Sequence, residues 1–225
     1  MKDCFETGAE YVAMIEDDTL AVAGWLPRLV DALDAVATNM RNRPRGEKWI
    51  YLRLFYTDDL LGWNSEDWPV YLSGSFIFWA SVTAMMVALK KRFPRHLEPL
   101  TFGTMATVSS FCIPAVVLLY FMAGRQTVSP ISPGIHEMNK YGCCSQGLVF
   151  PRSIIPPLVQ QMDLETRGLV DMMIEKIADR SGYVRWAVVP PLLQHIGTTS
   201  SKGYGFDVSA QRLWNFRYEL YPSLR

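Results

Sequence analysis

Cysteine, histidine and net charge are all scarce in this chain. Four cysteines in 225 residues are too few for a disulfide scaffold of this size, and their spacing fits no zinc pattern. Lys plus Arg equals Asp plus Glu at 22 each, so charge gives no reason to expect a nucleic acid or an acidic polymer as partner. Only three histidines are present, and none stands out by number. No Asn-x-Ser/Thr acceptor occurs outside the apolar runs described below, so glycosylation gives no check on topology. Met1 is followed by Lys2-Asp3-Cys4-Phe5-Glu6, which offers no apolar stretch for a cleavable signal or an anchor. The expectation is that an internal segment targets the chain, or that the amino terminus is incomplete. There is no internal repeat and no low-complexity tract.

Apolar mass, by contrast, is abundant and concentrated. Hydrophobic residues make up 49% and seven are Trp, and two stretches, Trp68 to Leu89 and Leu100 to Ala123, carry no charged residue. Each has the roughly 20 residues that a bilayer core demands of a helix. Ser73, Ser75, Ser81, Thr83, Thr104, Thr107 and Ser109 soften both runs, so a soluble core is the alternative; Pro114 does not argue against a membrane helix. Residues 90–99 hold Lys90, Lys91, Arg92 and Arg95. By the positive-inside bias this loop faces the cytoplasm and the flanking segments share the opposite, lumenal or extracellular face; as snorkelling helix ends the same residues still fit a membrane hairpin. The division expected is 1–67, a hairpin over 68–123, and 124–225.

Before the hairpin, Tyr11 to Ile15 reads as a strand buried on both faces, as in a parallel sheet, with Glu16-Asp17-Asp18 at its carboxyl end. Ligands of open α/β sheets bind beyond that edge. Leu26, Leu29, Val30, Leu33 and Val36 predict a helix, with Pro27 in its first turn, and Trp49 to Tyr56 a second strand. After the hairpin, 126–134 reads as an extended re-entry loop around two Ser-Pro pairs. Gly147 to Phe150 reads as a short strand, 163–178 as a helix closed by Ser181-Gly182, and Val184 to Val189 as a last strand. The aromatic tail from Gln211 suggests no chemistry. Neither half has the strands to close a core alone, so both are expected to pack into one mixed α/β domain.

The acidic triplet is the sharpest chemical feature. Three adjacent carboxylates repel one another and resist burial, and a divalent cation neutralises them; hard oxygen ligands suit Mn²⁺ or Mg²⁺, which can also hold a diphosphate. A solvated turn is the plain alternative. His195 is a second candidate ligand, with Thr198-Thr199-Ser200-Ser201 able to meet phosphate oxygens, or else a surface or core histidine. Arg167, Asp171 and Glu175 recur every four residues. They form either a solvated polar stripe with i,i+4 pairs or, at Asp171, a general base of raised pKa that accepts a proton from an acceptor hydroxyl. Cys112 is a small hydrophobe, and Cys143 or Cys144 can pair with Cys4 if the fold brings them close.

In order, Thr7 to Val12 leading into Glu16-Asp17-Asp18, then Trp49 to Tyr56, the hairpin, Cys143 to Arg152, and Gln194-His195-Ile196-Gly197 resemble one family. It is the post-GPI-attachment N-acetylgalactosamine transferase family, whose GT-A catalytic domain is split by a tandem transmembrane hairpin. The resemblance implies a multi-pass Golgi enzyme with lumenal catalytic halves. Such an enzyme moves N-acetylgalactosamine or a related hexose from a UDP donor to the glycan of a GPI anchor. It further implies that Glu16, Asp17 and Asp18 hold Mn²⁺ and the donor diphosphate, that His195 joins the same metal, and that Asp171 is the base. Gln146 and Gly147 would then flank the sugar pocket, where Gly147 lets backbone approach the ligand. The pattern departs at the start, where the family has an anchor and a first βαβ portion ahead of the triplet. The fold expected is therefore a partial GT-A domain, a Rossmann-like mixed sheet interrupted by the hairpin. A non-catalytic hairpin protein acting in assembly or substrate presentation is the alternative.

Overall fold

A computed structural model describes residues 1–57, 62–140, 145–165, 168–197 and 214–221. The chain divides into two units, one formed by Met1–Leu61 with Ile131–Arg225 and the other by Gly62–Pro130. These limits lie six or seven residues outside those of the expected hairpin.

The first unit is a mixed α/β sandwich, as expected of its two sequence-distant halves. Its helices are α1 (Lys2–Glu6), α2 (Trp25–Arg41), α7 (Ile155–Leu164) and α8 (Val170–Ser181), numbered along the whole chain. Strands β1 (Tyr11–Ile15), β5 (Gly147–Pro151), β3 (Trp49–Arg53), β6 (Val184–Val189) and β4 (Gly134–Glu137) form one sheet in that order. The β3–β6 pair is parallel and the rest are antiparallel. Consequently β1, β3 and β6 all run toward one edge, where β5 and β4 begin. A two-stranded ribbon of β2 (Thr19–Ala21) and β7 (Leu193–His195) completes the strands.

Helix α2 covers one face. It buries Leu29, Ala32, Leu33 and Val36 against Leu52, Leu54, Val149, Trp186 and Val188. The spacing of i, i+3, i+4 and i+7 gives the apolar stripe, worth about 2 kcal/mol for each fully buried aliphatic side chain. Leu26 and Val30, expected on that stripe, point to solvent. Helices α7 and α8 cover the opposite face, with Ile155, Leu158, Ile174 and Ile177 packed on Ile50, Tyr51, Leu148 and Phe150.

Several expectations change. Strand β1 is an edge strand and is not buried on both faces, since Ala13 and Ile15 are exposed. It pairs with β5, so two strands separate it from β6. The re-entry segment contains the short helix α6 (Arg125–Val128) and ends in β4. The helix expected over 163–178 is two helices, because Glu165 is extended and the chain turns before Val170. Pro156 and Pro157 sit in the first turn of α7, where a missing N–H costs nothing. Glu175 is not in a solvated stripe. It is buried, and its carboxylate accepts Tyr51 Oη at 2.6 Å, Arg53 at 3.0 Å and Arg185 Nε at 2.7 Å. Arg167 lies outside the described residues.

The second unit is two antiparallel helical rods. One is α3 (Trp68–Arg92) and the other runs through α4 (Phe102–Thr107), a π-helical turn (Val108–Cys112) and α5 (Ile113–Met122). Both are long and apolar enough to cross a membrane, and 0% and 6% of their apolar windows are buried. Such exposure does not suit the core of a soluble protein. Pro114 leaves one carbonyl of the π turn free. In its register Ser109 O would accept from the N–H of residue 114, which as Pro has none; the carbonyl accepts Trp79 Nε1 of the other rod at 2.8 Å. Thr83 and Ser109 hydroxyls meet at 3.1 Å beside it, so the freed backbone group is satisfied as an apolar surrounding requires.

Candidate metal centre

The acidic triplet follows β1 at the edge where β1, β3 and β6 end. A two-residue turn at Asp17 and Asp18 then leads into β2, which pairs with β7 in the register Thr19 to His195 and Leu20 to Gln194. This ribbon is what brings residues 177 positions apart together. Asp18 O accepts Ile196 N–H at 2.9 Å, and His195 Nε2 lies 3.0 Å from Asp18 Oδ2. Oxygen atoms of Glu16 and Asp18 and a ring nitrogen of His195 all fall within 4.8 Å of one another. Asp17 is exposed and stands outside this cluster.

Each member is held from a second direction. The Ser145 hydroxyl donates to Glu16 Oε1 at 2.5 Å, and Thr19 Oγ1 donates to Glu16 O at 2.8 Å. Phe55 lies against the His195 ring, with centroids 6.3 Å apart. Gly197 makes the close approach possible: a Cβ there would overlap Asp18 Oδ2 and stand 2.9 Å from Asp18 Cγ. Asp18 Oδ1 and His195 Nδ1 are buried and have no hydrogen-bond partner among the described residues. Unsatisfied buried polar atoms are uncommon and ask for an explanation, and two of them in one three-ligand cluster fit a cation. Carboxylate oxygens with one imidazole suit Mn²⁺, and suit Mg²⁺ less because of the nitrogen.

Gln146 and Gly147 stand at the same edge. Gln146 O accepts Glu16 N–H at 3.3 Å, and its side-chain Oε1 is buried without a partner. Gly147 answers a packing need, because a Cβ there would meet Leu193 Cδ1 at 2.5 Å and Leu54 Cβ at 3.2 Å. Asp171 lies in the first turn of α8, where its Oδ1 accepts Met172 N–H at 2.8 Å. That helix packs on the sheet face opposite the one carrying Leu54 and Leu193. Asp171 is not one of the three clustered ligands. Cys143, Cys144 and Thr198 to Ser201 lie outside the described residues, while Cys4 and Cys112 are free thiols.

The tail carries a role that its composition does not announce. Asn215 is fully buried. Its N–H donates to Gln194 Oε1 at 3.1 Å and its Nδ2 to Tyr56 O at 2.8 Å, while Gln194 Nε2 donates to His195 O at 2.9 Å. Tyr218 Oη donates to Leu20 O at 3.2 Å, and Tyr221 Oη to Pro190 O at 3.0 Å. Residues 214–221 thus strap both strands of the ribbon. The one hint in the sequence was the density of Tyr, Trp and Asn in an otherwise unassigned segment.

A family model described as GPI-N-acetylgalactosamine transferase PGAP4 matches residues 1–194. No curated protein and no solved structure matches the chain.

Proposed function

The chain belongs to the GPI-N-acetylgalactosamine transferase family, and from that premise we propose that it is a membrane-bound glycosyltransferase. It moves N-acetylgalactosamine or a related hexose from a UDP donor to the glycan of a GPI anchor, on the lumenal side of a Golgi membrane. The two apolar helices are its bilayer hairpin, which makes it a multi-pass protein. One observation carries the reading: Glu16, Asp18 and His195 converge although the ligands are drawn from opposite ends of the chain. A solvated turn and a surface histidine would have no cause to meet.

Glu16, Asp18 and His195 are the residues that would hold Mn²⁺. When bound, a divalent cation offsets the negative charge of a nucleotide diphosphate and of the departing UDP. The protein's part is to keep the ligands preorganised. Ser145 orients Glu16, Gly197 leaves room for Asp18, and the Gln194–Asn215 pair fixes the backbone of His195. Gln146, with its buried amide oxygen, is a polar contact for the donor. Asp171 is the general base of this reading, taking the proton from the acceptor hydroxyl as the sugar's anomeric carbon bonds to it.

The test is transfer of labelled N-acetylgalactosamine from UDP to a GPI glycan by the membrane-reconstituted full chain, with and without Mn²⁺. Metal-dependent labelling is expected, reduced at least tenfold in Asp171→Asn, a size typical of a lost general base. A chain that binds neither Mn²⁺ nor donor would mark it as a non-catalytic hairpin protein.

A further inference from the structure

The hairpin unit contains a cleft of about 430 Å³ between α3 and α5, lined by Trp63, Tyr71, Gly74, Phe78, Val117 and Tyr120. Gly74 opens it, since nothing lies within 4 Å of where its Cβ would stand. On α3 the lining runs from Val70 to Phe78, nine residues or roughly 13 Å of helix. That is close to half of a hydrocarbon core of about 30 Å. The cleft therefore occupies one leaflet.

Which leaflet follows from the hairpin's own ends. The cleft is at the end carrying Trp63, whose indole donates to Phe121 O at 3.0 Å and whose ring meets those of Tyr71 and Phe121 at 5.2 and 4.9 Å. Aromatic clusters of this kind mark a membrane–water interface. The basic loop is at the other end, where Lys90 donates to Leu97 O. Both connections to the rest of the chain, at residues 62 and 130, leave from the aromatic end. Arg125, four residues beyond Phe121, donates to Gly62 O at 3.3 Å. Among the described residues no carboxylate pairs with it.

We propose that this cleft holds a hydrocarbon chain of the acceptor's phosphatidylinositol moiety, with Arg125 at the phosphodiester. An apolar hollow within a bilayer finds no water to fill it, and an empty one forfeits dispersion contacts along its whole lining. A lipid chain is the occupant at hand. A guanidinium at the interface adds a charge-assisted bond to an anionic headgroup, and the small residue at 74 gives the chain its depth. A glycosylphosphatidylinositol has its glycan in water and its glycerolipid in the adjacent leaflet. The cleft serves the part of that acceptor that no water-exposed site can hold. The identity of the lipid rests on the transferase reading, whereas the cleft does not.

The experiment uses the full chain in nanodiscs containing a trace of phosphatidylinositol with a diazirine in one acyl chain. No sugar donor and no metal are added. Crosslinks located by mass spectrometry are expected to concentrate on residues 70–78 and 116–121. Gly74→Leu and Val117→Trp fill the cleft from opposite walls, and each should cut this labelling about tenfold, corresponding to about 1.4 kcal/mol. Gly103→Leu, outside the lining, should leave it unchanged, and Arg125→Gln should lower it about threefold, near 0.6 kcal/mol. Phosphatidylcholine carrying the same diazirine should label the cleft several-fold less. Equal labelling by the two lipids in the unmutated protein overturns the proposal, as does labelling spread evenly along both helices. Because nothing in the assay depends on catalysis, a chain that labels correctly but transfers no sugar retains the cleft and loses the transferase reading.

Discussion

Two charged clusters occupy the first unit, and they are built on opposite rules. Around Glu175, the guanidinium groups of Arg53 and Arg185 face two carboxylates, those of Glu175 and Asp179, and Tyr51 Oη adds a donor. Arg53, Arg185 and Glu175 are all buried. Among the described residues, the cluster around Asp18 holds two carboxylates and an imidazole, and two of its buried atoms have no hydrogen-bond partner. The first cluster is closed: charges balance inside it. The second is balanced only when something positive enters. Burial among balanced ion pairs suits a structural device, and an excess of carboxylates suits a cation. The comparison predicts that variants of the first lose the fold, whereas variants of the second lose binding.

The largest effect is expected at Glu175. Glu175→Ala takes the buried carboxylate from Arg53 and leaves Arg185 with Asp179 alone, and breaking a buried pair in this way costs about 3–5 kcal/mol. A similar loss of stability would be visible as a drop in the thermal midpoint of the detergent-solubilised protein. An unchanged midpoint would mean that the cluster is not closed as described.

Asp18→Ala is the counterpart in the open cluster. It removes a half-exposed carboxylate that meets the His195 ring, so stability should stay within about 1 kcal/mol, as for most changes outside the core. Mn²⁺ affinity, followed by the loss of free-ion EPR signal in the full chain, should fall by about 100-fold, equivalent to about 2.7 kcal/mol. His195→Ala should lose less, because a diphosphate supplies ligands of its own. Asp17→Ala, outside the cluster, should bind normally; a loss at Asp17 equal to that at Asp18 would overturn the assignment of the three ligands.

The strap is the intermediate case, since it is closed in its hydrogen bonds yet serves the open site. Asn215→Ala removes the Nδ2 donor to Tyr56 O and the Oδ1 acceptor of Arg217 N–H and leaves a buried acceptor behind, a cost of about 1–3 kcal/mol. Mn²⁺ affinity should weaken about fivefold, or about 1 kcal/mol, as His195 loses its fixed backbone. Asn215→Asp, which keeps Oδ1 but not the Nδ2 donor, should fall between. Normal affinity in a less stable Asn215→Ala protein would make the strap purely structural.

These clusters also explain what could be read from the residues beforehand. The triplet and His195 were legible because strand β1 presents them abruptly, after five residues without charge, and because the family order supports them. The residues that brace this cluster were not legible. Ser145 and Asn215 reach it through strand register and a tail contact, neither of which has a period. Glu175 was misread for a related reason. The i,i+4 spacing with Asp171 is the same whether a stripe faces water or faces Arg53 and Arg185, and only the sheet on the other side decides. The ribbon of β2 and β7 escaped notice because three residues are too few to show alternation. In the hairpin, the apolar runs predicted both rods well, whereas they did not mark the π turn, one of whose carbonyls Pro114 leaves free.

The smallest effect separates the clusters by pH. Burial, opposed by Arg53 and reinforced by Glu175, pushes the Tyr51 phenol up to about 12, against about 10 in an unfolded chain. The folded state therefore keeps this proton when the unfolded state has begun to lose it. A raised folded pKa contributes stability that is fully present below about pH 10 and disappears as pH climbs through about 12. Tyr51→Phe deletes the titration together with the bond to Glu175, a constant cost of about 1 kcal/mol near neutrality. The wild type should thus be more stable than the variant at pH 8, and its advantage should shrink between pH 10 and 12. Thermal midpoints of both proteins across that interval read the difference directly. Parallel curves for Tyr51→Phe and wild type would show that the phenol is not sealed inside the closed cluster, and that the contrast between the two sites is weaker than their burial implies.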